Sequence, residues 1–273
     1  MTLWHAIVLG FVQGLTEFLP VSSSGHLVLA GALLGLSEGH LAFDVIVHVA
    51  TLVATVVYYR NSLRCMAGDT VKAVLQYRSG RSLQEVLYMY PEARLVGLIA
   101  LGSIPTALIG LVFKDHLEAL FSEPRSAAGM LLVTAALLLL TRWCPRGRKT
   151  LSQFHWSYAL LIGLIQGVAI VPGICRSGST IAMALLLGLE RELAARYSFL
   201  LALPAVLGAL LLQMRDGAAF EVVGQSALVS GFVMAAITGL FALALLVRLV
   251  RSGRFHYFAL YLVPVGLWGL YAL

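Results

Sequence analysis

The chain has 273 residues, 60% of them hydrophobic and only 12% charged, with a formal net charge of +6. That balance excludes an ordinary soluble domain and points to an integral membrane protein. The cations lie in short segments between apolar runs, a membrane topology pattern that excludes a nucleic-acid-binding patch. Cys65, Cys144 and Cys175 lack metal-ligand spacing and indicate neither a disulfide nor a zinc site.

Residues 3–19 read as an apolar helix. No Lys or Arg precedes it and Glu17 lies within it, so it is expected to be retained and not cleaved as a signal peptide. It runs into Gln13-Gly-Leu-Thr-Glu-Phe-Leu-Pro-Val-Ser-Ser-Ser-Gly-His26, which brings a carboxylate, a proline, three hydroxyls, a glycine and a histidine to one break. Ionisable groups at membrane depth cost roughly 2.5–3.5 kcal/mol each and default to a functional reading. The limb at 26–36 rises only about 16 Å, half of a 30 Å hydrocarbon core, and is too short to span.

Residues 41–60 are expected to span, ending in the interfacial anchor Tyr58-Tyr59-Arg60. A polar loop with surface helices follows at 61–93, one opened by the capping box Ser82-Leu83-Gln84-Glu85. Further spans are expected at 94–113, 126–141, 195–214, 226–247 and 255–273, with Trp143 and Trp156 at an interface.

Between these spans the opening pattern returns. Gln166-Gly167 answers Gln13-Gly14, Gly178 answers Gly25, and Leu187-Gly188-Leu189 answers Leu34-Gly35-Leu36 at one offset; Pro172 answers Pro20 with a slip of one residue. An ordered set of this kind indicates duplication. The expected fold is all-α: a single integral membrane domain over 1–273, with repeat 1 at about 1–141 and repeat 2 at about 154–273. Its two interrupted segments read as re-entrant broken-helix hairpins.

Charge supports the hairpins. If each enters and leaves on one side, the loops 60–94, 142–149, 191–196 and 248–254 share a side. They then hold every Lys and Arg except Lys114, Arg125, Arg215 and the intramembrane Arg176. A single crossing at 157–171 would instead put Arg248, Arg251 and Arg254 on the wrong side. The same assignment sends the two hairpins in from opposite faces, an inverted-topology repeat whose broken helices meet near the midplane.

Gln13 and Glu17, four residues apart, share a helix face. Ser22-Ser23-Ser24-Gly25 and Arg176-Ser177-Gly178-Ser179 each precede a helix, where free N–H groups and the dipole favour a phosphate. Arg176 adds a forked donor, and His26 has the chemistry of a general acid, base or nucleophile. Singly, each has a plain structural reading: serines cap helices, and a histidine in an apolar run is often a hydrogen-bonded core residue. Asp44 and His48, four residues apart, are expected to satisfy one another. Arg176 fits a purely structural reading least, because a guanidinium at that depth needs an anionic partner.

The motif Gln13–His26 resembles the first signature of the bacitracin-resistance type of undecaprenyl-diphosphate phosphatase. Pro172-Gly-Ile-Cys-Arg-Ser-Gly-Ser-Thr180 resembles its second, and Tyr197-Ser-Phe-Leu-Leu-Ala-Leu-Pro-Ala205 looks like a third shared block. The resemblance covers the whole chain. It implies a multi-pass enzyme of the bacterial inner membrane that hydrolyses undecaprenyl diphosphate to the monophosphate and phosphate. The activity recycles the lipid carrier for cell-wall synthesis, confers bacitracin resistance, and is usually placed on the outer face. By matching position, the resemblance puts catalytic roles on Glu17, Ser23, His26 and Arg176, and substrate binding on Gln13, Ser22, Ser24, Ser177 and Thr180. Two departures stand out: Gln13 replaces the Glu of many members, removing one metal ligand, and Cys175 replaces the usual Ser.

The expected mechanism brings the diphosphate in laterally while the isoprenoid stays in lipid. Arg176 and the helix N-termini hold the phosphates, and Glu17 binds a divalent cation, Mg2+ or Ca2+, or positions a proton. Ser23 or His26 attacks, with Ser23 preferred and His26 as its base. The partners expected are the isoprenoid diphosphate and the bilayer; a homo-oligomer is left open. A polyprenyl-lipid flippase or secondary transporter also explains an inverted repeat, but does not require hydroxyl, imidazole and guanidinium together. A phosphatidate-phosphatase-type enzyme would need a histidine where this chain has Ala182.

Overall fold

In lipid a backbone finds partners only in itself, so long apolar runs close into helices. The computed structural model describes residues 1–27, 41–113, 124–144, 147–215 and 224–272, and among these the fold is all-α, with no strand beyond an isolated bridge between Lys149 and Leu189. The helices are α1 (Leu3–Phe18), α2 (Leu41–Tyr58), α3 (Arg60–Arg78), α4 (Leu83–Met89), α5 (Pro91–Val112), α6 (Pro124–Leu140), α7 (Trp156–Val168), α8 (Arg176–Leu186), α9 (Arg191–Arg215), α10 (Gln225–Arg251) and α11 (Ala259–Ala272). Residues 23–27 form one further helical turn. The rest of the 26–36 limb, with Leu34-Gly35-Leu36, lies outside the described residues.

Among the described residues, the helices at Pro91–Val112, Arg125–Trp143, Arg191–Leu212 and Gln225–Arg251 are long and apolar enough to cross a membrane. They correspond to four expected spans. The expected span at 41–60 is more complicated, because α2 bends by 71° into α3 at the Tyr58-Tyr59-Arg60 anchor. Polar α3 carries too little apolar surface to continue inward, so it turns aside there. Ser82 and Glu85 form the expected capping box at the start of α4, each side chain meeting the other residue's backbone N–H. The last expected span begins with a 3-10 turn at Phe255–Phe258, leaving α11 only 14 residues, about 21 Å of helix.

The basic loops gather at one end of the molecule. Arg196 pairs with Glu92 and Arg251 with Glu192, while Arg94 donates to the carbonyls of Ser152 (2.9 Å) and Phe154 (3.0 Å). Lys149 donates from its backbone N–H to Gly188 (3.1 Å) and from Nζ to the Leu187 carbonyl (2.9 Å). The chain therefore enters α7 and leaves α8 at the same end, as a hairpin with its break in the interior. With Cys65 and Cys144 replaced, a cysteine at Gln225 should react with an impermeant thiol reagent in intact cells, and one at Arg148 should not. Labelling at 148 and not at 225 would invert this orientation.

Both half-length helices lean on a full-length one through glycine. A Cβ on Gly10 of α1 would sit 2.5 Å from the Gly231 carbonyl of α10, and one on Gly163 of α7 would sit 1.9 Å from the Gly102 carbonyl of α5. Close backbone approach of this kind is how helices pack where lipid offers no hydrophobic drive. It places the two breaks against the same interior.

Candidate active site where two helix breaks meet

Local chemistry ends each half-helix. The residue before a proline is pushed out of the helical region, and Leu19 is extended at φ −63°, ψ 143° ahead of Pro20. Buried Ser22 then adopts φ 68°, a left-handed conformation that costs a non-glycine residue about 1–3 kcal/mol. Its carbonyl is held in place by two bonds from His26, the backbone N–H at 3.2 Å and Nδ1 at 2.9 Å. In the second break Gly173 has φ +89°, and a Cβ there would lie 2.1 Å from the Ala127 carbonyl, so glycine is required. Thr134 of α6 pins this loop, donating to the Gly173 carbonyl (3.1 Å) and accepting from the Cys175 N–H (3.0 Å).

The two breaks satisfy each other. Ser177 Oγ donates to the Phe18 carbonyl (3.1 Å) and Cys175 Sγ to that of Leu19 (3.7 Å), two of the carbonyls orphaned at the end of α1. The Arg176 guanidinium pairs directly with Glu17 Oε1. Glu17, with a side chain only 6% exposed, also accepts at Oε2 from Ser23 Oγ (2.6 Å) and Gln13 Nε2 (3.0 Å). Carboxylate, hydroxyl, amide and guanidinium thus form one network, with one Arg176 nitrogen on Glu17 and the rest of the fork unbonded to any described residue.

Other expected site residues stand differently. Ser23 is hydrogen-bonded to Glu17 and not to His26, whose Nε2 meets the Tyr261 hydroxyl of α11 at 2.7 Å, the rings stacked at 5.8 Å. Ser24 Oγ lies 3.4 Å from Ser22 Oγ, and the Thr180 hydroxyl donates to the Arg176 carbonyl of its own helix (2.9 Å). His48 was expected to pair with the Asp44 side chain. Instead its Nδ1 meets the Asp44 backbone carbonyl (2.7 Å), and its Nε2 lies 3.9 Å from Glu17 Oε2. The missed signal is a polar stripe along apolar α2, Asp44, His48, Thr51 and Thr55, which recurs at helical spacing.

A cavity opens beside this network, between α2 and α9. Its lining combines polar Glu17, Arg176, Ser177, Thr51, Thr55 and Ser198 with apolar Phe18, Leu52, Phe199, Ala202, Leu203 and Val206. Among the described residues no group of three His, Cys, Asp or Glu is placed to hold a metal ion. The oxygens available to a hard cation are the Glu17 carboxylate and the buried Oε1 of Gln13, which has no partner. That set fits Mg2+ or Ca2+ only if phosphate and water oxygens complete the shell.

Cys175 caps α8: its Sγ accepts from the Gly178 N–H (3.4 Å) and lies 3.3 Å from Ser177 Oγ, fully inside the protein. A thiol so placed is a filler and a weak cap, and serine caps better. Cys175→Ser should therefore keep turnover within a few-fold. Loss of activity together with a trapped phosphocysteine in the unsubstituted protein would make it the nucleophile.

The family model of bacitracin resistance protein BacA matches residues 6–268. The undecaprenyl-diphosphatase of Desulforapulum autotrophicum is 44% identical over 271 residues, covering 98% of this chain and 97% of the relative. That of Desulfosudis oleivorans is 45% identical over 265 residues (96% and 95%), and that of Methanosphaera stadtmanae 42% identical over 263 residues (96% and 95%). A match along nearly the whole chain, spanning both helix breaks, places this multi-pass membrane protein in the bacitracin resistance protein BacA family.

Proposed function

We propose that this chain hydrolyses undecaprenyl diphosphate to undecaprenyl phosphate and inorganic phosphate in the bacterial inner membrane, recycling the lipid carrier of cell-wall synthesis. The observation that carries the reading is Ser23 Oγ bonded at 2.6 Å to a buried carboxylate that is itself paired with Arg176. A proton acceptor and a phosphate-binding fork line a cavity whose apolar residues suit an isoprenoid, and a hydroxyl nucleophile is bonded to that acceptor.

In this reading the diphosphate slides in between α2 and α9 and draws the Arg176 fork onto its oxygens, with the first turn of α8 behind it. Ser23 Oγ attacks the terminal phosphorus, its proton passes to Glu17, and the anhydride P–O bond breaks with the electron pair leaving on the lipid phosphate. Water then attacks the phosphoserine, and Glu17 returns its proton to Ser23 as phosphate departs. Gln13 and Ser177 fix Glu17 and the break, and His26 holds Ser22 so that Ser23 faces the carboxylate. A divalent cation bound by Glu17 and Gln13 would neutralise diphosphate charge. Positioning and electrostatics carry most of the rate in such transfers.

The test is phosphate release by the purified protein from undecaprenyl and shorter isoprenoid diphosphates, with and without chelator. Turnover of these substrates supports the hydrolase. Movement of labelled lipid across vesicles with no phosphate released would instead leave a flippase.

A further inference from the structure

Ser198 sits on α9 in the wall of the cavity that holds Glu17 and Arg176, 3% exposed, and its hydroxyl has no hydrogen-bond partner. A serine or threonine inside a helix ordinarily avoids this by donating to the carbonyl three or four residues back. Thr51, Thr55, Ser103 and Thr238 all do so in this protein, at 2.7–3.0 Å. Ser198 keeps its hydroxyl unspent, as Ser179 does on α8, but of the two only Ser198 lines the cavity, where a ligand can supply the partner a buried hydroxyl lacks.

The surroundings of Ser198 indicate which group that is. Along α9, Ala202 and Val206 follow it one and two turns on, on the same face, and with Phe199 and Leu203 they form the apolar wall. Ser198 is thus the one polar α9 residue in the lining and stands at the start of that helix's apolar run, at a polar–apolar junction along α9. In an isoprenoid diphosphate the group at that junction is the ester-linked phosphate, since the terminal phosphate must lie at Ser23. We propose that Ser198 donates to the phosphate that stays with the lipid, a specificity contact to substrate and product alike. This rests on the hydrolase reading above.

The contact has a signature that a packing role lacks. The ester-linked phosphate is present in both the diphosphate substrate and the monophosphate product, but not in free phosphate. Ser198→Ala should therefore raise KM for an isoprenoid diphosphate and Ki for the matching monophosphate together, on the order of tenfold for a hydrogen bond to a charged group. Inhibition by inorganic phosphate should be unchanged and kcat should stay within a few-fold. The ligand-free variant should melt no lower than the parent, because the change removes an unpaired polar atom. Unchanged KM and Ki would overturn the contact. A rise confined to the Ki for inorganic phosphate would move Ser198 to the terminal phosphate and overturn the assignment. A lowered melting temperature with kcat and KM both impaired would make the residue structural. An unsubstituted protein that turns over no isoprenoid diphosphate would remove the hydrolase reading, and this inference with it.

Discussion

Arg176→Ala is expected to lose turnover by on the order of 100- to 1,000-fold, the usual cost of deleting a donor to transition-state charge. The guanidinium is the one cation seated in the cavity beside Glu17 among the described residues, and it offers a fork that matches phosphate oxygens. The same change leaves the Glu17 carboxylate buried without its counter-ion, and breaking such a pair typically costs about 3–5 kcal/mol. Activity could then fall only because the fold weakens. The double variant Glu17→Gln with Arg176→Ala separates the effects, since it removes both charges and leaves an amide in the pocket. Its melting temperature should recover toward that of the parent while phosphate release stays abolished. Near-normal turnover in folded Arg176→Ala would return this arginine to a structural role.

Ser23→Ala should be at least as severe, on the order of 1,000-fold or more, because a nucleophile is not replaced by its neighbours. Ser22 and Ser24 cannot substitute: the Ser22 hydroxyl is buried toward Ser24, and only Ser23 reaches the carboxylate. His26→Ala should lose less, because it removes only the Nδ1 bond to the strained Ser22 turn, keeps the backbone N–H bond and leaves Ser23 on Glu17. Rapid quenching with phosphate-labelled substrate distinguishes the two candidates chemically. A phosphoserine survives acid, whereas a phosphohistidine is hydrolysed by it. An acid-labile phosphoenzyme that persists in Ser23→Ala and vanishes in His26→Ala would make His26 the nucleophile.

Segment by segment, the sequence alone determined most of where helices run, though not the 71° bend after Tyr58 or the 3-10 start of the last span. Pro20 and Pro172, which lack the N–H a helix needs, fall in the two breaks, whereas Pro105, Pro204 and Pro264 lie inside helices. The spans at Pro91–Val112 and Gln225–Arg251 follow from apolar length, and the Ser82 cap from two side chains three residues apart. These are local effects, written within a few residues of where they act. The Gln13–Glu17 face was legible for the same reason.

Only the tertiary structure decided which groups meet. The partner of Glu17 is 159 residues away, and no local rule chooses Arg176 over another cation. His48 and Asp44 looked paired because they share a helix face. The interior offered the imidazole a buried carboxylate across α1, while the Asp44 carbonyl met its other nitrogen. His26 lies three residues from Ser23 in sequence yet meets Tyr261, 235 residues on, because the fold brings α11 against that helical turn. Ser198 reads as one hydroxyl in an apolar run until α9 is seen packed beside the two breaks. A buried charge or hydroxyl is satisfied by whatever the fold brings within about 3 Å of it, and that depends on packing between segments far apart in the chain.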